Sequence, residues 1–394
     1  MFIERKITNK LLKLASEFPT LAIFGPRQSG KTTLVKHLFK NYEYFSFEEM
    51  AKREIVSTDP KAFLEKYKDS PGLIFDEVQH VPHLLSYMQT HIDTHKKKGH
   101  FILTGSQNLL LNEKVTQSLA GRIAITTLLP LSIQELKDAN LLTDSIDKIL
   151  FLGLYPSIYS DNVGAYDWYS SYINTYVERD VRQIQNIGNL SQFQKFMQLC
   201  AGRVGQILNL SSFADDLGVS VPTVKQWLSI LEATYIIFLL QPYYQNFNKR
   251  IIKAPKLYFY DPGIVCSLLN ISNADQLFSY PLRGSIFESI IISDFKKQYY
   301  NLGKKPNCYF WRDQSQYEID CIIETVLKRY PIEIKTSSTY NSRFLDHLSK
   351  WNTISDSNPK ENILIYSGDN ELNTDKGKII NWRNSGNIIE NLND

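Results

Sequence analysis

Short apolar runs separated by stretches with helical spacing dominate the first third of the chain. Leu21–Phe24, Tyr44–Phe47, Leu73–Phe75 and Phe101–Leu103 are the clearest of them. Runs that are apolar at nearly every position predict strands buried on both faces, as in a parallel sheet. Helical segments lie between them, so the pattern predicts a β-α-β domain built on an open parallel sheet.

From about Leu131 to Gly202 the spacing is mostly helical, with Tyr166–Ile187 rich in Tyr, Arg, Glu and Asp. Ser212–Gly218 then reads as a short helix closed by glycine, and Val219–Pro222 starts another, Thr223–Glu232. Two short helices around a glycine turn resemble a helix-turn-helix, and strand-like Ile236–Leu240 and Lys256–Tyr260 would make it winged. A long helix is expected over Ile286–Tyr300. Strands are expected at Tyr309–Trp311, Glu318–Ile323 and Tyr330–Lys335, as in a second α/β sheet. The Asn- and Asp-rich tail after Trp382 reads as a frayed end. The expected division is 1–135, 136–260 and 261–394.

Composition changes this picture little. A chain of 394 residues suggests about two to three domains. A net charge of +3 neither demands nor excludes nucleic acid, because a local basic patch can hide in a balanced total. The four cysteines, Cys200, Cys266, Cys308 and Cys321, form no C-x-x-C pair and read as isolated thiols in a reducing compartment. Met1–Lys6 leads into no apolar signal core, and no apolar run is long enough to span a bilayer. These features predict a cytoplasmic location with no membrane partner.

Gly25-Pro-Arg-Gln-Ser-Gly30-Lys31-Thr32 fits G-x-x-x-x-G-K-[ST] at every position. Glycines let the backbone curl so that successive N–H groups face phosphate oxygens. The helix that follows presents its N-terminus to the same anion. Residues Gly25, Pro26, Arg27, Gln28, Ser29, Gly30, Lys31, Thr32 and Thr33 are therefore expected to hold a nucleotide, Lys31 on the β- and γ-phosphates and Thr32 on Mg²⁺. Asp76 and Glu77 end the apolar run Gly72–Phe75. Asp76 would hold Mg²⁺ through water, and Glu77 would orient or deprotonate the attacking water. Thr104–Asn108 ends the next strand and offers Ser106 or Gln107 as a γ-phosphate sensor; a plain Gly-Ser turn is the alternative. No Asn-Lys-x-Asp motif follows, which favours ATP over GTP.

On these residues the chain resembles the AAA-type ATPases. It is similar in particular to a prokaryotic group sharing the phosphate loop, Asp76-Glu-Val-Gln79, Thr104-Gly-Ser-Gln107, Ser118-Leu-Ala-Gly-Arg122, Tyr176–Arg182 and the helix-turn-helix. Gly153-Leu-Tyr-Pro-Ser157 departs from the Gly-Gly-Tyr-Pro turn of that group. Arg122, Arg179, Arg182 and Arg203 are candidates for an arginine that neutralises transition-state charge in cis or in trans. Arg122 has the best context; ion pairs with local acids are the alternative.

Asp320 and Glu333-Ile-Lys335 lie on neighbouring strand candidates, and Glu333 and Lys335 share a face. Two carboxylates and a lysine on one surface could hold Mg²⁺ and activate water for phosphodiester cleavage. The arrangement resembles the D…E-x-K core of restriction-endonuclease-like nucleases. That resemblance implies Glu288, Asp320 and Glu333 as ligands of Mg²⁺ or Mn²⁺, and Lys335 as an aid to the nucleophile. Ser285-x-x-Glu288 also fits a capping box, and Glu-x-Lys also fits a solvated strand face.

Other signals are thinner. The recognition-helix candidate Thr223–Trp227 carries one lysine; Lys249, Arg250, Lys253 and Lys256 are better phosphate contacts, and Tyr243 and Tyr244 could stack on bases. His80, His83, His91 and His95 have zinc-like spacings, but Pro82 interrupts the first pair and no further ligand is evident. The leading expectation is an ATP-hydrolysing enzyme acting on nucleic acid, DNA before RNA, with ATP controlling a nuclease-like C-terminal site. The alternative is an ATP-driven switch whose last domain binds a protein partner without cutting. A trans arginine would require a homo-oligomer.

Overall fold

The computed structural model describes residues 1–106, 119–161, 163–177, 181, 189–244 and 252–392. Strands β1 (Thr20–Phe24), β2 (Glu43–Ser46), β3 (Leu73–Asp76), β4 (Phe101–Gly105) and β5 (Ile123–Thr127) form one parallel sheet in the order β2-β3-β4-β1-β5. Inner strands β1, β3 and β4 are buried at every residue, as their unbroken apolar runs require. Edge strand β5 alternates between exposed and buried positions, and its short run carries no such signal. All five strands point the same way, so their C-terminal ends share one rim. That rim carries Gly25 after β1, Glu77 after β3 and Ser106 after β4, the place where open α/β sheets bind ligands.

A helical stretch follows, with helices Ile133–Asp138, Ile146–Leu152, Pro156–Ser160, Ala165–Tyr176 and Leu190–Gly202. Helices Leu210–Leu217 and Val221–Ala233 then meet at Gly218, packed through Phe196, Phe213 and Trp227. Strands β6 (Ile237–Leu240) and β7 (Lys256–Phe259) pair antiparallel after them.

The last sheet contains β8 (Cys308–Arg312), β9 (Glu318–Glu324), β10 (Arg329–Lys335), β11 (Ile363–Tyr366), β12 (Leu372–Thr374) and β13 (Gly377–Asn381), ordered β12-β13-β11-β10-β9-β8. Strands β10 and β11 are parallel, so the chain crosses between them through helix Asp346–Ser355. Helix Arg283–Asn301 precedes the sheet. No gap separates this unit from the one before. A single apolar core runs from Phe213 and Tyr258 through Ile286 and Phe310 to Ile389, and Tyr243 N donates to the Phe310 carbonyl of β8 at 2.7 Å.

Up to Leu392, the last described residue, the tail is not frayed. Trp382 and Ile389 are fully buried. Gln298 donates to the Ser385 carbonyl and accepts from the Ile389 amide, both at 2.9 Å. A Trp and paired isoleucines outweigh the polar letters between them. Among the described residues, no helix is long and apolar enough to cross a membrane.

Candidate nucleotide and metal sites

The phosphate loop curls between β1 and helix Lys31–Leu38. A Cβ at Gly25 would lie 2.0 Å from the Leu128 carbonyl oxygen, so only glycine fits there. Gly30 caps the helix at φ +92°, the left-handed region that favours glycine. Lys31 is buried and donates to the carbonyls of Gly25 and Pro26 at 2.9 and 2.7 Å, so its ammonium lies across the loop. Ser29 Oγ is buried with no hydrogen-bond partner. A glycine cradle, an orphan hydroxyl, an ammonium and a helix N-terminus suit a polyphosphate.

Asp76 closes the loop from the β3 side. Thr32 Oγ1 donates to its Oδ2 at 2.9 Å, Tyr44 OH donates to the same oxygen at 2.7 Å, and Thr104 Oγ1 donates to Oδ1. A carboxylate facing the Thr32 hydroxyl is the donor set a hydrated Mg²⁺ needs beside a triphosphate. Glu77 adopts φ +55°, which turns it away from the strand direction and toward β4. It accepts from Ser106 Oγ at 3.2 Å and from Gln79. Burial pushes its carboxyl up, but Lys31, the Gln79 bond, Arg27 and Ser106 more than offset this and hold it below the usual range. Glu77 is therefore an anion at neutral pH, beside the residue expected to sense the γ-phosphate. Gln107 lies outside the described residues.

Two further elements, Arg5 and the turn Gly153–Ser157, support the loop. Arg5 is buried, donating to the Ser29 carbonyl at 2.8 Å, the Leu129 carbonyl at 2.7 Å and Glu135 Oε1 at 3.0 Å. Glu135 is also the capping-box residue of helix Ile133–Asp138. The turn Gly153–Ser157 lies against the loop, with Pro156 Cγ 3.8 Å from a Cβ built on Gly30. Phe2, Arg5, Gly30, Leu34, Leu131 and Pro156 help to line a cavity of about 260 Å³ beside the loop.

Arg122 is not brought to this site within one chain. It pairs with Asp93 through bonds of 2.6 and 2.9 Å at the start of β5, whereas the loop follows the end of β1. The strands are parallel, so the length of the sheet separates the two. Arg203 is bonded to Ser212 and Asp216. Arg179 and Arg182 lie outside the described residues.

The structure gathers Glu288, Asp320, Glu333 and Lys335 and adds two residues that the sequence did not single out for this site. Oxygens of Glu288, Glu318 and Asp320 all lie within 4.8 Å of one another. Lys335 Nζ contacts Glu333 Oε1 and is 3.9 Å from Asp320 Oδ2. Asp320 also accepts from the Ile334 amide at 2.9 Å, which ties β9 to β10. Burial, then the neighbouring Asp320, pushes Glu333 up to about 8. Burial also pushes Glu288 up to about 7, against the pull of Lys256. Glu288 does not cap its helix, which starts without a side-chain cap; it accepts from Tyr258 OH and Lys256 instead.

Lys256 is therefore not a surface phosphate contact. It is 2% exposed and contacts Glu288 and Glu318. Tyr243 is buried, with its hydroxyl 2.6 Å from Glu324, so its ring is not free to stack. Tyr244 and Lys253 are exposed; Lys249 and Arg250 lie outside the described residues. Of the histidines, His91 and His95 approach each other and Glu65 from the neighbouring helix, a donor group invisible in the spacing of the histidines. His80 is held below its ordinary range by burial.

Residues 17–137 match a family described as an AAA domain. Residues 143–275 and 283–384 match two families each described as a domain of unknown function. An uncharacterized protein of Mycobacterium tuberculosis is 28% identical over 86% of this chain and 75% of its own. One of Methanocaldococcus jannaschii is 22% identical over 76% of this chain and 71% of its own. The solved structure of a Walker-type ATPase of Pyrococcus abyssi is similar at a TM-score of 0.46 and 16% identity, over 68% of this chain and 96% of that one. The family match over residues 17–137 supports an AAA-type P-loop ATPase domain in this part of the chain.

Proposed function

We propose that the chain hydrolyses ATP at the phosphate loop and acts on nucleic acid through a metal-dependent, nuclease-like C-terminal site. Bound Mg²⁺–ATP would supply the phosphoanhydride and the charge that the metal neutralises. Lys31 is placed to leave the loop carbonyls for phosphate oxygens, and Thr32 and Asp76 to share the metal side. Glu77, anionic and held by Ser106 and Gln79, is placed to orient water. The cavity lined by Phe2, Leu34 and Pro156 suits the nucleoside end. Arg122, bonded on the opposite rim, fits a role only in a neighbouring copy.

The observation that carries the second half is the convergence of Glu288, Asp320, Glu333 and Lys335 from a helix and two strands of a mixed sheet. Carboxylates around a lysine can bind a divalent ion and polarise water for attack on a phosphodiester. The helix-turn-helix and the β6–β7 pair read as a winged-helix module, in which Lys225 and Lys253 are exposed among the described residues and could meet a phosphate backbone.

One observation favours the second reading, an ATP-driven switch that binds a partner without cutting. Lys256 already neutralises Glu288 and Glu318 inside the cluster. The deciding experiment incubates the protein with labelled single- and double-stranded DNA and RNA and Mg²⁺ or Mn²⁺, with and without ATP. Cleavage lost in Lys335→Ala supports the nuclease reading, and loss in Lys31→Ala couples it to ATP. Intact ATP turnover with no cleavage of any substrate overturns the nuclease reading in favour of the switch.

A further inference from the structure

We propose that Lys256 is a resident counter-ion seated where the Glu288–Glu318–Asp320 cluster would hold a divalent cation, so that metal and this lysine compete for one position. The proposal rests on the reading of the cluster as a metal site and adds how that site is regulated.

The geometry is that of a cation position. Oxygens facing each other across an ion at roughly 2.1–2.5 Å lie about 4–5 Å apart. Those of Glu288, Glu318 and Asp320 lie within 4.8 Å of one another. Lys256 Nζ is 3.2 Å from Glu288 Oε1 and also contacts Glu318 Oε1. The ammonium thus bridges acids from the helix Arg283–Asn301 and from β9 while coming from neither. It is delivered by β7, which pairs with β6 and lies within the family match that covers 143–275. Tyr258, two residues along β7, faces the same way and donates to Glu288. One strand therefore presents both of the donors that quiet Glu288.

The lysines do not satisfy the cluster completely. Glu333 is 2% exposed, its Oε1 contacts Lys335, and its Oε2 has no hydrogen-bond partner. A buried carboxyl oxygen with no hydrogen-bond partner is costly, and a bound ion or its water would relieve it. Lys256 is 2% exposed and its ammonium touches both Glu288 and Glu318, so it fills the space between them. A permanent ammonium in the pocket repels a second cation, so loss of Lys256 should expose an avid site.

The test titrates the full chain, free of nucleotide, with Mn²⁺ and reads bound ion by electron paramagnetic resonance. Lys256→Met is expected to bind at least tenfold more tightly than wild type. The gain should vanish when Glu288→Gln is added, and Lys256→Arg should stay weak. Where Lys256→Met does not fold, acylation of Lys256 in wild type serves instead; it should rise when Mn²⁺ is added. A folded Lys256→Met that binds no more tightly, beside Glu288-dependent binding in wild type, overturns this proposal alone, as does unchanged acylation. No Glu288-dependent Mn²⁺ binding in any variant overturns the metal reading of the cluster itself.

Discussion

Arg5 donates through Nη1 to the carbonyl of Ser29 at 2.8 Å, so a residue of the N-terminal segment fixes the backbone of the phosphate loop. The same guanidinium holds Leu129 and Glu135, and both it and Glu135 are buried. Removing one partner of a buried pair strands the other charge, at a cost of about 3–5 kcal/mol. Arg5→Ala should therefore lower the melting temperature. Arg5→Lys, which keeps the charge but loses the fork, should fold and still lower kcat for ATP about tenfold or more. Wild-type turnover in Arg5→Lys would show that the loop does not depend on this clamp.

Glu77 and Lys31 should separate binding from chemistry. Glu77→Gln keeps the bonds to Ser106 and Gln79 within reach but loses the anion proposed to orient water. Its kcat for ATP should fall by about a hundredfold or more, with nucleotide affinity retained. Lys31→Ala should lose affinity itself. Calorimetry with a nucleotide analogue beside steady-state turnover checks both, and full turnover in Glu77→Gln would remove this residue from the mechanism.

Much of this was legible in the sequence where chemistry needs fixed spacing. The loop Gly25–Thr32 and Asp76-Glu77 follow unbroken apolar strands, and the structure puts them on one rim. Glu288, Asp320, Glu333 and Lys335 could be gathered because helix acid, strand acid and E-x-K follow a known order. The rest had no local signal. Arg5 reaches Glu135 across 130 positions, and Lys256 reaches Glu318 across 62, so only the fold shows either contact. Lys256 looked like a surface cation because Lys253 beside it is one. The tail misled through its Asn and Asp letters, while Trp382 and Ile389 decided its packing.

The raised carboxyls of the C-terminal cluster set a pH window. Burial pushes Glu288 up to about 7 and Glu333 up to about 8. Between the ordinary carboxylate range and these values the folded chain binds more protons than the unfolded one. Stability from these groups is thus fully present at low pH and lost as pH rises through about 7 to 8. Metal uptake, which needs the ionised forms, should run the opposite way and strengthen over that window. Melting curves of wild type and Glu333→Gln from pH 5 to 9 check the sign. A wild-type slope that the substitution leaves unchanged would refute the assignment to Glu333.

Arg122 is bonded to Asp93 on the rim opposite the loop, so any catalytic role must be played in another copy. Specific ATP turnover should then rise with protein concentration, and Arg122→Ala should flatten that rise. A concentration-independent rate, untouched by Arg122→Ala, would assign the residue to its ion pair alone.

Helix Arg283–Asn301 carries one end, and a middle joint, of a bonded route between the two sites. Glu288 enters the acidic cluster, and six residues on, about 9 Å along the axis, Asp294 accepts from the Ile133 amide at 2.7 Å. Lys297 reaches the Leu131 carbonyl at 3.1 Å, and Gln298 donates to Asp294 at 2.8 Å. Ile133 opens the helix whose Glu135 holds Arg5, and Arg5 holds Ser29 of the phosphate loop. A shift of the loop on nucleotide binding can therefore reach Glu288 through fully bonded, buried groups. Asp294→Asn retains an acceptor for Ile133 but turns an amide toward Gln298, which should loosen this joint at a cost of about 1–3 kcal/mol. Mn²⁺ affinity of the cluster should differ with and without a non-hydrolysable ATP analogue in wild type, and the difference should disappear in Asp294→Asn while ATP turnover stays within about twofold. If the difference survives the substitution, the coupling runs by another route, such as the turn Gly153–Ser157 that also touches the loop.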